Sequence, residues 1–315
     1  MTWQLRFSSL TAALVLSTLA ASTGWAVSPP YSNDFLTDIS DFTLYSYNEV
    51  GKNDGMWTWD QAQGELVINH GIPDNPDNGN NKSAALVSVP AGESDDLLVS
   101  TTMTIPSVGP GNNMTFGIAS RANTIVIDND DSATGPPAAE YYYFDWRPNT
   151  GRMRIRQVVD GTDTQLNFVT FQDLPEAPND NRFDYVDERD GSLREFAMSM
   201  SVVDVADADG AGTPGVKITG TLTAWGYQSD ETMGVFPSLD TWTIEAFSTD
   251  VIQPLNPGDP LYYGLRTAGA GNFGGSYFQV NFDTFDLSVV PEPSTLASLA
   301  VLGCLAGARR VRAGR

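Results

Sequence analysis

The sequence predicts an all-β fold, either a sandwich or a barrel. Three observations carry the prediction. Between residues 27 and 290 apolar positions recur at period two, the mark of a half-buried strand. The stretches separating them are dense in Gly, Asn, Asp and Pro, which supply turn conformations. No segment of that region holds apolar residues at the 3.6-residue spacing of an amphipathic helix.

Taken in order, residues 65–68 and 85–89 read as short strands, followed by 97–105 and 114–120. Strands over 141–146, 152–159 and 165–171 come next, with Gly161 in a hairpin turn. The clearest hairpin joins 196–205 to 216–227. In its first arm Phe196, Met198, Met200 and Val202 share one face, and in its second Val216, Ile218 and Leu222 do. Polar residues alternate with them, as in an antiparallel sheet solvated on one side. Asp207-Ala208-Asp209-Gly210 supplies the reversal. Strands at 241–247, 262–267 and 277–289 complete the set. There is no fixed-period repeat, and the acidic stretch 175–191 reads as one long loop. A single domain over 27–290 is therefore expected, flanked by 1–26 and 291–315.

The two flanks carry address-like features. At the N-terminus Arg6 precedes an apolar run from 10 to 20, and Gly24-Trp25-Ala26 puts small residues where a signal peptidase reads. A signal peptide over 1–26, cleaved after Ala26, is expected. At the C-terminus Pro291-Glu292-Pro293 leads into an apolar stretch from 294 to 308, closed by Arg309, Arg310 and Arg312. Fifteen residues make a helix of roughly 22 Å at ~1.5 Å per residue. That is short against a hydrocarbon core of about 30 Å, so the arginines must snorkel and the bilayer thin.

This ordered tail resembles the PEP-CTERM sorting signal of Gram-negative envelope proteins. The resemblance implies an exosortase-type processing enzyme as partner, cleavage near Pro291-Glu292-Pro293, and transient anchoring in the inner membrane. Release to the cell surface or extracellular matrix would follow.

Charge and rare residues bound the function. The chain carries 39 acidic against 17 basic residues, a net charge of −22. Trimming to 27–290 removes five arginines and one glutamate and deepens it to −26. Such a surface repels nucleic acid and anionic lipid. The one cysteine, Cys304, lies in the tail, and the one histidine is His70. The region 27–290 therefore has no disulfide, no Cys-His nucleophile and few routes to a His-rich metal set.

A second likeness spans 31–290. It runs from Asn33-Asp34-Phe35 through the 64–68 strand, Phe116-Gly117-Ile118-Ala119, Tyr142-Tyr143-Phe144 and the strand from Phe196, to the closing 277–285 segment. This order resembles the concanavalin A-like, laminin G-type jelly roll. The resemblance implies two packed antiparallel sheets, glycan binding, a structural calcium in some members (with Asp34 and Asp283 at a shared edge) and, in other branches, a secreted glycoside hydrolase or lyase.

Sugar binding needs aromatic faces beside planar hydrogen-bonding groups. Trp57, Trp59, Tyr141, Tyr143, Trp146 and Arg147 form the richest such set. On the 141–146 strand Tyr141, Tyr143 and Asp145 share one face and Tyr142, Phe144 and Trp146 the other, so one face is core and the other a candidate platform. Arg152, Arg154 and Arg156 alternate on the next strand, placed to neutralise acids on a neighbouring strand or to meet an anionic polysaccharide.

Calcium needs converging oxygens from a loop. Asp128, Asp130 and Asp131 are one candidate set. Asp204, Asp207 and Asp209 fail the EF-hand spacing, because Val205 and Val216 fall where carboxylates are required. Glycoside hydrolysis needs two opposed carboxyls. Asp184, Asp187, Glu188 and Asp190 sit in the acidic loop, and Asp283 and Asp286, three apart on a strand, are expected on opposite faces. The reading favoured by the sequence is a non-enzymatic, exported, carbohydrate-binding sandwich.

Overall fold

Alternation sorts the strands into two sheets that face each other across one apolar layer. The computed structural model describes residues 26–47, 56–70, 81–93, 96–107, 115–125, 139–147, 152–170, 190–226, 238–269 and 278–290. Among these residues there is no helix. The strands are β1 (Tyr31–Asn33), β2 (Thr43–Tyr47), β3 (Met56–Asp60), β4 (Glu65–His70), β5 (Asn81–Val89), β6 (Leu97–Ser107), β7 (Thr115–Ala122), β8 (Tyr141–Arg147), β9 (Arg152–Val159), β10 (Thr162–Thr170), β11 (Phe196–Val205), β12 (Gly215–Gly226), β13 (Ser238–Ser248), β14 (Leu261–Gly269) and β15 (Phe278–Val289). The first sheet runs β13-β12-β11-β6-β15-β4-β3, with β1 also paired to β15; the second runs β10-β9-β8-β7-β14-β5-β2. Every strand pairing is antiparallel. The fold is the all-β, two-sheet antiparallel jelly-roll sandwich that the sequence predicts.

The core comes from the inward faces of both sheets. Phe196, Met198, Met200 and Val202 of β11 and Val216, Ile218 and Leu222 of β12 are buried there, opposite Tyr142, Phe144 and Trp146 of β8. Each such side chain, fully buried, contributes about 1.5–3 kcal/mol. Gly220 stands where β12 crosses Phe144, and a Cβ at that position would lie 2.5–2.8 Å from the phenyl ring carbons. The missing side chain is the space that the ring of the opposite sheet fills.

Turn chemistry sets the register. Asp160 and Gly161 both have positive φ, 50° and 71°, the type I′ geometry whose twist suits a two-residue hairpin. They join Val159 to Thr162. The strand therefore begins at Thr162 rather than at 165, and a bulge between Gln165 and Asn167 re-aims its second half. Three short strands, β1 to β3, were not distinguished in the sequence. They lie at or near sheet edges, where few residues pair and the alternation is too brief to read.

One expectation is corrected. Asp283 and Asp286 do not face opposite sides. A register shift between Phe282 and Thr284 absorbs one residue. Phe282, Phe285 and Leu287 are thereby kept in the core, and both aspartates turn outward.

The ends of the described body meet at one pole. Val27 N donates to Ser88 O at 2.8 Å and Val290 N donates to Asp96 O at 2.7 Å. Ser88 and Asp96 flank the connection between β5 and β6. Arg121, at a φ of 53° near the end of β7, pins the same pole. Its guanidinium pairs with Asp204 at 2.6 Å and stands 3.6 Å from Asp96. The expected signal peptide (1–26, apart from Ala26, which forms a bridge with Ser88) and the expected membrane segment (291–315) lie outside the described residues.

Candidate functional site

The outer face of the second sheet gathers the chemistry. Register places Tyr141, Tyr143, Asp145 and Arg147 of β8 opposite Val158, Arg156, Arg154 and Arg152 of β9. On the other side of β8, Ala119 and Gly117 of β7 lead across to Gly264 and Arg266 of β14. At both glycines a Cβ would lie 2.0 Å from a backbone carbonyl oxygen, Phe144 O at Gly117 and Ala85 O at Gly264, so the close approach of neighbouring strands requires them.

The polar groups of this face are linked. The Arg154 guanidinium pairs with the Asp145 carboxylate, its Nε donating to Oδ1 at 2.7 Å and its Nη2 to Oδ2. Both residues are buried. Arg156 Nε donates to Asp163 Oδ1 at 2.9 Å, and the Tyr143 hydroxyl donates to the same carboxylate at 2.8 Å. Arg266 stacks 4.1 Å over the Tyr143 ring and is only 3% exposed. Burial first, then neighbouring negative charge, pushes the Tyr143 hydroxyl well above its usual value, against the opposing pull of Arg266. It stays a donor throughout the physiological range. Arg152 Nη2 donates to Gln165 Oε1 at 2.9 Å, and its guanidinium lies 4.3 Å over the Phe168 ring. Burial pushes the Arg147 guanidinium down, and the positive charges of Arg154, Arg152 and Arg156 push it further, against the pull of Asp145.

The residues singled out in the sequence divide among three places. Tyr141 and Tyr143 lie on this outer face but are buried, their rings 5.4 Å apart. Arg147 is half-buried at the end of β8. Trp146 points the other way, into the core, against Phe116 and Phe196 at 5.7 and 5.4 Å. Trp57 and Trp59 belong to β3 of the opposite sheet, half-buried against the core. Their indole Nε1 groups donate to the carbonyls of Tyr45 (3.2 Å) and Phe35 (2.6 Å). The six residues therefore do not make one platform. Sequence reasoning missed Arg266, Asp163 and Phe168. They reach the face through cross-strand register, which no local pattern displays.

The outer face of the first sheet has the opposite character. Cross-strand threonines pair through their hydroxyls: Thr102 with Thr284 at 2.9 Å, Thr221 with Thr243 at 3.1 Å, Thr223 with Thr241 at 2.9 Å. Beside them Asn281 Nδ2 donates to Glu65 Oε2 at 2.9 Å. Burial, with the charges of Glu65 and Glu195, pushes the Asp283 carboxyl up to about 8. It is therefore mainly protonated at neutral pH.

Of the calcium candidates, Asp128, Asp130 and Asp131 lie outside the described residues. Asp207 and Asp209 cap their own turn: Asp207 Oδ1 accepts from the amides of Gly210 (2.8 Å) and Gly212 (3.0 Å), and Asp209 Oδ1 from those of Ala211 (2.8 Å) and Thr213 (3.2 Å). Hydrogen bonds from Thr213 and Ala211 hold Asp209 down at about 2. Among the described residues no group of three or more His, Cys, Asp or Glu side chains is arranged to share a metal ion.

Neither a family model nor a curated protein matches the sequence. Several solved structures align with it at low identity. Bacteroides ovatus xyloglucan PUL GH43B aligns with 84% of this chain at 14% identity and a TM-score of 0.38, and this chain spans 40% of that protein's length. The carbohydrate-binding module CBM66 from Bacillus subtilis aligns with 78% of this chain and 94% of its own at 12% identity, TM-score 0.35. Lectin I from Ulex europaeus, in complex with the methyl glycoside of α-L-fucose, aligns with 80% of this chain and 100% of its own at 12% identity, TM-score 0.39.

Proposed function

We propose that this chain is an exported, cell-surface or matrix β-sandwich protein that binds carbohydrate on the outer face of its second sheet. The observation that carries the reading is the arrangement of tyrosines and arginines on β8, β9 and β14. Arg154 and Arg266 are buried and stiffen the face, while the half-buried Arg152 and Arg156 beside the exposed Phe168 offer guanidinium groups that suit hydroxyl and carboxyl oxygens. Tyr141 and Tyr143 brace the floor, and the half-buried Arg147 ends the strand. Export rests on the two flanks: signal peptidase acts after Ala26 and an exosortase-type enzyme near Pro291-Glu292-Pro293. The bilayer holds the tail in between. In this reading Asp128, Asp130 and Asp131 are the calcium candidates.

Incubating the full chain with a panel of insoluble polysaccharides, with and without EDTA, tests the binding. Retention by at least one polymer is expected, and loss with EDTA would assign calcium a part. Retention by none would overturn the proposal. Intact mass of the exported product is expected to start at Val27 and to lack residues beyond Ser294; a product keeping the tail would refute the sorting route.

A second reading, hydrolysis of a glycosidic bond, rests on Asp283. A carboxyl that keeps its proton beside two carboxylates suits a general acid. Release of reducing ends from a glucan, abolished by Asp283→Asn, would establish it; no release by the native chain would remove it.

A further inference from the structure

Resting on the carbohydrate-binding reading, we propose that the ligand is a carboxylate-bearing polysaccharide, a uronate polymer, held at the rim formed by Arg147, Arg152, Arg156 and Phe168. Charge is the first argument. The chain as a whole carries −22, yet among the described residues the strands of this outer face bring together five arginines (147, 152, 154, 156 and 266) and two aspartates, Asp145 and Asp163. Those two aspartates already pair with Arg154 and Arg156. Among the described residues Arg152 meets a neutral amide and a ring. Arg147, half-buried at the end of β8, stands opposite Arg152 and adds its charge to the same rim.

Range is the second argument. The screening length is about 8 Å at physiological ionic strength. Alternate residues on a strand stand ~7 Å apart and neighbouring strands ~4.8 Å. A polymer lying on the rim therefore responds to these arginines, while the distant acidic surface is screened.

Shape is the third. Phe168 is 49% exposed, with the Arg152 guanidinium stacked on it. A sugar ring can lie against the free edge of the phenyl group while its carboxylate meets the two parallel N–H groups of the fork. That geometry fits guanidinium better than an ammonium. The rim also lies at the end of β8 and β9 away from the pole where Val27 and Val290 are fastened, so neither flank leaves the body there.

The test measures binding of the full chain to polygalacturonate, to a neutral β-glucan and to dextran sulfate, for the native protein and for Arg152→Gln, Arg152→Lys and Phe168→Ala. Far-ultraviolet circular dichroism and melting temperature confirm that each variant folds. Polygalacturonate is expected to bind, more weakly as salt rises. Affinity is expected to fall about tenfold in Arg152→Gln and in Phe168→Ala, and by less in Arg152→Lys, which keeps the charge and loses the fork. Binding of the neutral glucan alone would overturn this inference while leaving the carbohydrate reading intact; binding of no polymer would overturn both. Dextran sulfate bound as tightly as polygalacturonate, with the variants unaffected, would mark simple ion exchange and overturn it as well.

Discussion

Replacing Asp283 by asparagine is expected to stabilise the protein above about pH 4, and increasingly so up to about pH 8. The side chain lies on the outer face of the first sheet, and its carboxyl is pushed from 3.8 to about 8 by burial and by the charges of Glu65 and Glu195. An unfolded chain releases this proton near 3.8, whereas the folded chain keeps it until about 8. Within that window the folded state binds the extra proton, so stability falls as pH rises. Below the window the contribution is fully present, and above it no more is lost. At ~1.36 kcal/mol per pKa unit the shift corresponds to a ceiling of ~5–6 kcal/mol. Partial exposure of the side chain reduces this to ~2–3 kcal/mol. Asparagine has no proton to lose and keeps the size of the side chain. At ~2–4 °C per kcal/mol, the variant should melt about 5–10 °C above the native protein at pH 8, and the gap should close toward pH 4. Thermal melts followed by circular dichroism across that range measure it. Parallel curves for the two proteins would show that Asp283 is not crowded by its neighbours, and the reasoning would fail.

Asp145→Asn should cost about 3–5 kcal/mol, because it strands the buried Arg154 charge; adding Arg154→Met should recover most of the loss, as read by urea unfolding. Gly220→Val should lower the melting temperature through a clash with Phe144, at a cost of ~1–3 kcal/mol. Gly220→Val combined with Phe144→Ala should cost less than the two separate losses together; strict additivity would refute the contact.

Much of the sandwich was legible because alternation reports burial directly. The Phe196, Met198, Met200 and Val202 series faces inward as its period requires, and the Asp160-Gly161 turn has the backbone that its residues prefer. The errors arose where a local count was broken. The bulge at Asp283 shifted every later residue of β15 by one face, and nothing in Asn281-Phe282-Asp283-Thr284 marks it. The site was legible only in pieces. Tyr141 and Tyr143 could be put on one face, and Arg152, Arg154 and Arg156 on another strand, and the expected neutralising partners exist for Arg154 and Arg156. That Arg266 and Phe168 come to the same face depends on which strands are neighbours, and strand order is set by long-range pairing. That Trp57 and Trp59 stand on the opposite sheet from Tyr141 and Tyr143 likewise depends on strand order; both are half-buried, and their indole Nε1 groups donate to the carbonyls of Tyr45 and Phe35.

The fastening of Val27 beside Ser88 and of Val290 beside Asp96 fixes how a held molecule stands. Whichever terminus is gripped, the grip acts on one extremity, and cutting one attachment while keeping the other does not turn the body over. The eight residues of β9 span roughly 25 Å at ~3.3 Å each, so Arg152 projects about that far from the grip, as the crown of a post does from its footing.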